Sequence, residues 1–276
     1  MDIEDVSASL KRGEEGIFLA TADAETISYA ASGHTECFGV EDHSFWFRHR
    51  NECISAMVRR HGCAGSFLDV GGGNGYVAQR LQADGHEVVL LEPGIEGARN
   101  ARVQRGLAHV ACATLQSAQF HAGCFAAAGL FDVIEHVEDD RAFLKQVREV
   151  LAPGGKLYLT VPCHKWLWSQ ADIDAGHFRR HTYASLQHLV EGAFQIDYMS
   201  YFFRVLVLPQ YLLRALPYRL GFGRNGSMLS TGAEHGTGEG LATRVVSRML
   251  QSEVAAVQEG RPLGLGASCL VAATRI

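Results

Sequence analysis

Asp69, Glu92 and the glycines between them are the residues whose types and spacing could do chemistry. The stretch Phe67-Leu68-Asp69-Val70-Gly71-Gly72-Gly73-Asn74-Gly75-Tyr76 reads as a short apolar strand, a glycine-rich turn and the start of a helix. Glycines at such a turn remove the Cβ atoms that would hold a ligand off, and the free N–H groups that open the helix point at an anionic or strongly polar group. Asp69 stands two residues before the first of these glycines. Glu92 closes the next apolar run, Val88-Val89-Leu90-Leu91, about 20 residues on, where a ribose-binding carboxylate belongs in a nucleotide-binding α/β unit.

A second set of polar residues lies downstream. The apolar run Phe125–Asp132 suits a strand buried on both faces and leads into Val133-Ile134-Glu135-His136. His136 therefore follows a strand at the carboxyl edge, where open α/β sheets bind ligands, and its ordinary pKa near 6.5 suits it to act as a general base. The alternative is that Glu135 and His136 only brace the strand-to-helix turn or touch the cofactor. The segment after the next strand is the densest polar and aromatic cluster of the chain, with Cys163, His164, Trp166, Trp168, Asp172, Asp174, His177, Arg179, Arg180 and His181. It suggests a pocket for a planar or acidic substrate, with His164 or His177 as a second base and Trp168, Arg179, Arg180 and His181 as substrate contacts. A solvated loop with two core tryptophans is the plainer alternative. The spacing of His, Cys and Asp there matches no standard zinc site, so no metal is expected.

These residues need a scaffold, and the hydrophobic pattern supplies one. Strands are expected near 66–70, 86–91, 108–113, 125–132 and 156–162, with helices between them, for example the amphipathic one carrying Phe143, Leu144, Val147, Val150 and Leu151. Strands alternating with helices of this length imply a parallel sheet with right-handed crossovers. Pro153-Gly154-Gly155 is read as the helix stop. Beyond 162, a helix near Thr182–Glu191, a strand near Phe194–Phe203, an amphipathic helix from Leu241 to Gln258 and a last strand at Ala267–Thr274 complete the pattern. Residues 201–214 are apolar with basic punctuation, which fits a packed helix, a dimer contact or an interfacial surface. Residues 221–240 are rich in glycine and serine and are expected to be mobile. Residues 1–43 read as an irregular arm with one strand or helix in it, followed by Phe45-Trp46-Phe47 flanked by arginines and a helix from Asn51 to His61. The aromatics either anchor the arm or cover a cofactor, since aromatic faces attract cations, and Arg50 could hold a carboxylate.

Gly71-x-Gly73-x-Gly75 with an acid just upstream resembles motif I of the class I S-adenosylmethionine (SAM) dependent methyltransferases. Phe131 to Asp140, then Leu151-Ala152-Pro153-Gly154-Gly155, then Leu159-Thr160-Val161-Pro162 resemble the later motifs of the small-molecule branch, most closely the ubiquinone-type O-methyltransferases and their bacterial relatives. The resemblance begins near residue 40 and covers most of the chain, including Trp168–Asp172, Gly176–His181 and Pro262–Ser268. Phe125–Leu130 departs from it, being rich in alanine where a more polar lead-in is usual.

The resemblance implies a Rossmann-like α/β fold, with a seven-stranded mostly parallel sheet, helices on both faces and an antiparallel last strand. It implies SAM as cofactor, S-adenosylhomocysteine as product, and methyl transfer to a small acceptor, with oxygen ahead of nitrogen and carbon. The expected cofactor contacts are Asp69, Gly71, Gly73, Asn74, Glu92 and Pro93, with Trp46 and Arg50 from the aromatic segment, Thr114 and Leu115 beside the adenine, and Asp132. Residues 1–50 are expected as an arm and cofactor lid, and residues 51–276 as the methyltransferase domain, with a substrate cover inserted near 204–240. The rival readings are an NAD(P)-dependent oxidoreductase, against which Asp69 counts because a carboxylate would repel a pyrophosphate, and a SAM-fold protein that binds a partner without catalysis.

The whole chain is compatible with this. Its 276 residues suffice for one large α/β domain, and 47% apolar with 20% charged residues is ordinary for a globular protein. A net charge of −5 argues against nucleic acid as the main partner. Seven widely spaced cysteines without a C-x-x-C pair read as reduced thiols. The opening Met1-Asp2-Ile3-Glu4-Asp5 has no signal-peptide core, and no apolar run reaches the length of a membrane span, so a cytoplasmic monomer or homodimer is expected, acting on an aromatic, acidic or lipid-like small molecule.

Overall fold

The computed structural model describes residues 3–21, 38–222 and 241–276. The expectation of a mobile 221–240 segment falls almost wholly outside these residues. Five central strands, β3 (Ser66–Val70), β4 (Glu87–Leu91), β5 (His109–Cys112), β6 (Phe125–Phe131) and β7 (Leu151–Pro162), run parallel in the order β5-β4-β3-β6-β7. β9 (Ser268–Arg275) lies antiparallel between β7 and β8 (Phe194–Phe202). This is the Rossmann-like arrangement that the pattern implies, with the last strand as the antiparallel one.

The sheet of the described residues has nine strands rather than seven. The segment read as an irregular arm contributes β1 (Leu10–Arg12) and β2 (Phe18–Ala20), an antiparallel pair that adds to the free edge of β5 through Phe18–Ala111 and Leu19–Cys112. Strands of three residues are too short to print a period-two pattern. They cover an edge that would otherwise expose unpaired N–H and C=O groups.

Successive strand residues point to opposite faces, and helices bury both. On one face Leu68, Val89, Leu91, Ala128 and Leu130 pack with Leu144 and Val147 of α4 (Asp140–Val150) and with Leu186 and Val190 of α6 (Tyr183–Glu191). On the other, Phe67, Val88, Leu90 and Ala127 pack with Ile54, Met57 and Val58 of α1 (Phe45–His61), Val77 and Leu81 of α2 (Tyr76–Ala83) and Val257 of α8 (Leu241–Glu259). Between these, α3 (Ile95–Arg99) continues as a π-turn over Asn100–Gln104, α5 is Gln170–Asp174, and α7 (Arg204–Gln210) runs on through Tyr211–Ala215. No helix of the described residues is long and apolar enough to cross a membrane.

Two boundaries differ from expectation. α1 starts at Phe45 rather than Asn51, because Ser44 caps it by accepting from the Trp46 N–H at 3.1 Å. The aromatic segment is therefore the first turn of a packed helix. β7 begins at Leu151, ahead of Pro153-Gly154-Gly155, and its register with β6 shifts between Phe125 and Ala127 to accommodate them.

Gly75, the residue before α2, has φ 82°, and a Cβ there would lie 2.8 Å from Leu107 Cδ1 and 2.9 Å from Ala101 Cβ. Both the left-handed backbone and the close approach of α2 to the Asn100–Gln104 turn demand glycine. Gly75→Ala is expected to lower stability by about 2 kcal/mol or more in urea unfolding. An unchanged midpoint would show that the turn relaxes freely.

Candidate active site

The carboxyl ends of β3, β4, β5 and β6 open on one cavity of about 660 Å³. The glycine turn forms its floor. Gly71 and Gly72 N–H donate to the Leu91 carbonyl at 2.7 and 3.3 Å, which locks the turn onto the end of β4. Glu92 accepts from Gly73 N–H at 2.9 Å and from Gly94 N–H at 2.7 Å. Nothing lies within 4 Å of the position a Cβ would take on Gly73. Glu92 is 5% exposed, and burial pushes its carboxyl up to about 7 against the pull of the two N–H groups. Asp69 is 1% exposed, and its Oδ2 has no hydrogen-bond partner. Burial pushes it up to about 7 as well; the charge of Arg50 opposes this and that of Glu92 adds to it. Two buried carboxyls flanking an open glycine turn, one with an orphaned oxygen, fit a ligand that carries a hydroxyl pair and a cation.

α1 supplies the opposite wall. Arg50 donates from Nε to Asp132 Oδ2 at 2.5 Å and from Nη2 to the Phe131 carbonyl at 2.7 Å, and its guanidinium lies 5.5 Å from the Trp46 ring centroid. Asp132 has φ 58° and also accepts from the Thr160 hydroxyl at 3.2 Å. Trp46 stacks on Phe203, centroids 5.4 Å apart. Asn74 donates to Glu41 at 3.0 Å, and Arg105 donates to the other Glu41 oxygen at 3.0 Å and to Asp42 at 2.7 Å. Thr114 and Ser117 cross-bond in the turn after β5, where Leu115 is buried in the lining. Trp46, Arg50, Asp69, Gly71, Gly73, Asn74, Glu92, Pro93, Thr114, Leu115 and Asp132 all line the same cavity.

At the far end the cavity meets His136 and His177, whose rings stand edge to face at 4.8 Å. Burial, then the neighbouring His177, pushes His136 down to about 4. Glu135 beside it is 0% exposed with neither carboxylate oxygen hydrogen-bonded, and burial holds its pKa well above the usual range. His177 Nδ1 meets Asp172 Oδ1 at 2.9 Å, and Arg180 donates to the same oxygen at 2.6 Å. Burial works against the charge of Asp172, but the His177 hydrogen bond and the Arg180 guanidinium hold its pKa below the ordinary value.

The other sequence candidates lie off the lining. His164 stacks on Tyr201, centroids 5.0 Å apart. Arg179 donates to Asp140 and to the Glu138 carbonyl, both at 2.6 Å, and His181 Nε2 is 3.8 Å from Asp140. Trp168 is half-buried between the Lys165–Leu167 turn and α5. Arg179 and Arg180 each find a carboxylate in the chain itself, and Arg180 reaches the cavity only through Asp172 and His177. Conversely, Glu41, Val133, Val137, Phe143 and Phe178 line the cavity without having been singled out. Glu41 comes from the weakly patterned start of the chain. Val133 and Val137 flank His136 and could have been found from that histidine.

A family model described as a methyltransferase domain matches residues 45–193, more than half of the chain. The chain is 29% identical over 114 residues to a ubiquinone biosynthesis O-methyltransferase of Pectobacterium carotovorum, an alignment covering 39% of this chain and 48% of that protein. It is 30% identical over 101 residues to the mitochondrial ubiquinone biosynthesis O-methyltransferase of Rattus norvegicus, covering 34% and 29%. The match thus spans less than half the length of these curated relatives. Among solved structures, a possible histamine N-methyltransferase of Thermotoga maritima aligns with TM-score 0.56 and 16% identity, over 90% of this chain and all of that one. The geranyl diphosphate C-methyltransferase of Streptomyces coelicolor aligns with TM-score 0.53 and 16% identity, over 81% and 75%. Identities this low carry the fold alone. The fold, the glycine turn with its two acids and the family match converge: the chain belongs to the methyltransferase domain family, within the class I methyltransferases that use S-adenosylmethionine.

Proposed function

We propose that the chain methylates a small-molecule acceptor held between the glycine turn and the His136–His177 pair, with an acceptor oxygen as the attacking atom. The observation that carries this reading is the single cavity whose lining holds both Asp69 and Glu92 and the pair His136 and His177. Bound at the turn, S-adenosylmethionine supplies an electrophilic methyl group on a sulfonium. The Glu92 carboxylate accepts from the ribose hydroxyls while Gly73 and Gly94 N–H groups hold it in place. Asp69 serves the ammonium group, directly or through water. Arg50, committed to Asp132 and the Phe131 carbonyl, fixes the Trp46 face at the wall. His136, kept neutral by burial, and His177, oriented by Asp172, face the acceptor. The acceptor lone pair forms the new bond to the methyl carbon as the C–S pair returns to sulfur, and the acceptor proton passes to solvent water beside His136 and His177. Alignment of two bound reactants contributes about 7–11 kcal/mol in general, so this chemistry does not rest on a single side chain. Oxygen is favoured by the ubiquinone-type relatives; the nitrogen and carbon methyltransferases among the structural neighbours define the competing acceptors.

Calorimetric titration with S-adenosylmethionine, S-adenosylhomocysteine and NAD tests the cofactor end. Both adenosyl ligands are expected to bind and NAD not to, with Asp69→Ala and Glu92→Ala each weakening binding by at least about tenfold, or about 1.4 kcal/mol. Binding of NAD alone would sink the reading. Tight adenosyl binding without transfer to phenols, carboxylic acids or amines would favour a non-catalytic role.

The two raised carboxyls set a pH dependence. In the free protein both are protonated below about pH 7, whereas the ribose hydroxyls and the ammonium call for carboxylates. Binding therefore releases protons, and affinity for S-adenosylmethionine is expected to rise between pH 6 and 8, by at most about tenfold per pH unit for each group, then level off. Titrations in two buffers of different ionisation enthalpy measure the protons released. Glu92→Gln should flatten the profile. A flat profile in the unmodified protein would overturn the assignment.

A further inference from the structure

Glu135, His136 and His177 form a cluster at the acceptor end of the cavity that the proposed chemistry leaves partly unused. Each can offer one ligand atom, and the three atoms lie within 4.8 Å of one another. Donors on one ion at about 2.1 Å stand at most about 4.2 Å apart, so a shift of under an ångström closes the set. Glu135 is fully buried, and both of its carboxylate oxygens lack a hydrogen-bond partner. Buried polar groups are almost always satisfied, and a carboxylate more strictly than most, so this pair of orphaned oxygens calls for a partner. Asp172 supplies the outer shell. It is fully buried, meets His177 Nδ1 at 2.9 Å and is itself held by Arg180 at 2.6 Å. A carboxylate at Nδ1 fixes the tautomer in which the Nε2 lone pair is available, which is how proteins orient a ligating histidine.

We infer that Glu135, His136 and His177 bind a divalent metal ion at the acceptor end of the cavity, with Asp172 as the positioning residue for His177. Two imidazoles and one carboxylate favour a first-row transition ion such as Zn2+, Mn2+ or Co2+ over Mg2+, which prefers oxygen ligands. Three protein ligands on a cavity wall leave coordination positions open, as in catalytic rather than structural sites. The role of the ion rests on the methyl-transfer reading, whereas its presence does not. An acceptor hydroxyl on the open position would lose its proton to solvent water more readily. Its lone pair then forms the O–CH3 bond, and the pair of the broken C–S bond stays on sulfur. The separate spacings within 163–181 hid this set, because two of its members lie on the turn after β6, ahead of α4, and the third lies after α5.

The test uses the full chain, stripped with a chelator and titrated with ZnCl2, MnCl2 and MgCl2 by calorimetry, with Co2+ followed by visible d–d absorption. One saturable transition ion per chain is expected, with Mg2+ weaker. Glu135→Gln and His177→Gln should each weaken binding by at least about a hundredfold, and Asp172→Asn by about 10–100-fold. Near-UV circular dichroism and an unchanged affinity for S-adenosylmethionine report that each variant is folded. Absence of a saturable site for all three ions and of a Co2+ spectrum overturns the inference, as does equal affinity in the folded variants. Cofactor binding without metal binding sinks this inference alone; metal binding without cofactor binding sinks the methyl-transfer reading alone.

Discussion

Two carboxyl groups, Asp69 and Glu92, are held out of water at the carboxyl ends of adjacent parallel strands, and much of the surrounding architecture serves to keep them there. β3 and β4 pair in register from Ser66–Glu87 to Val70–Leu91, with Asp69 opposite Leu90, so Glu92 follows two residues beyond the partner of Asp69, just past the end of β4. The glycine turn folds back onto the Leu91 carbonyl and hands its next N–H to Glu92. Burial raises both groups to near neutrality, so the free protein holds them close to the point where a ligand decides their charge. A hydroxyl pair or a cation rewards ionisation of carboxyls held in this way, whereas a pyrophosphate does not.

The wall facing these acids depends on α1, which is anchored at two places. Arg50 ties it to the end of β6. The residue before Arg50, His49, meets the fully buried Glu253 of α8 at 3.0 Å, and Glu253 also accepts from the N–H groups of Phe203 and Arg204, which open α7. Phe203 in turn stacks on Trp46. One carboxylate thus joins three helices behind the aromatic wall, and burial of Glu253 is compensated by three hydrogen bonds that hold its pKa below the ordinary value.

The cofactor end was legible because its determinants are local. A strand, a glycine turn and an acid at the end of the next strand lie within about one βαβ unit, and the structure gathers the residues chosen there into one lining. Contacts made across the sequence were not legible. Arg50 meets Asp132 from 82 residues away, so nothing near Arg50 announced that its guanidinium is committed within the protein. The same holds for Arg179, which meets Asp140, and for Arg180, which meets Asp172. A dense polar segment suggested substrate contacts, but charge density alone does not tell a ligand from an internal partner. The three-residue strands β1 and β2 escaped because periodicity needs length, and the early start of β7 because Pro153-Gly154-Gly155 ordinarily breaks structure rather than continuing it.

Asn74 sits inside the glycine turn and at the same time grips Glu41, which Arg105 holds from the other side. The floor of the cavity and the chain around residues 38–42 therefore share one buried hinge-pin of polar contacts. Any ligand that stiffens the turn stiffens this junction, and the free-energy coupling runs equally in the other direction. Residues far from the acceptor can in this way tune the grip of the cavity without touching anything bound in it.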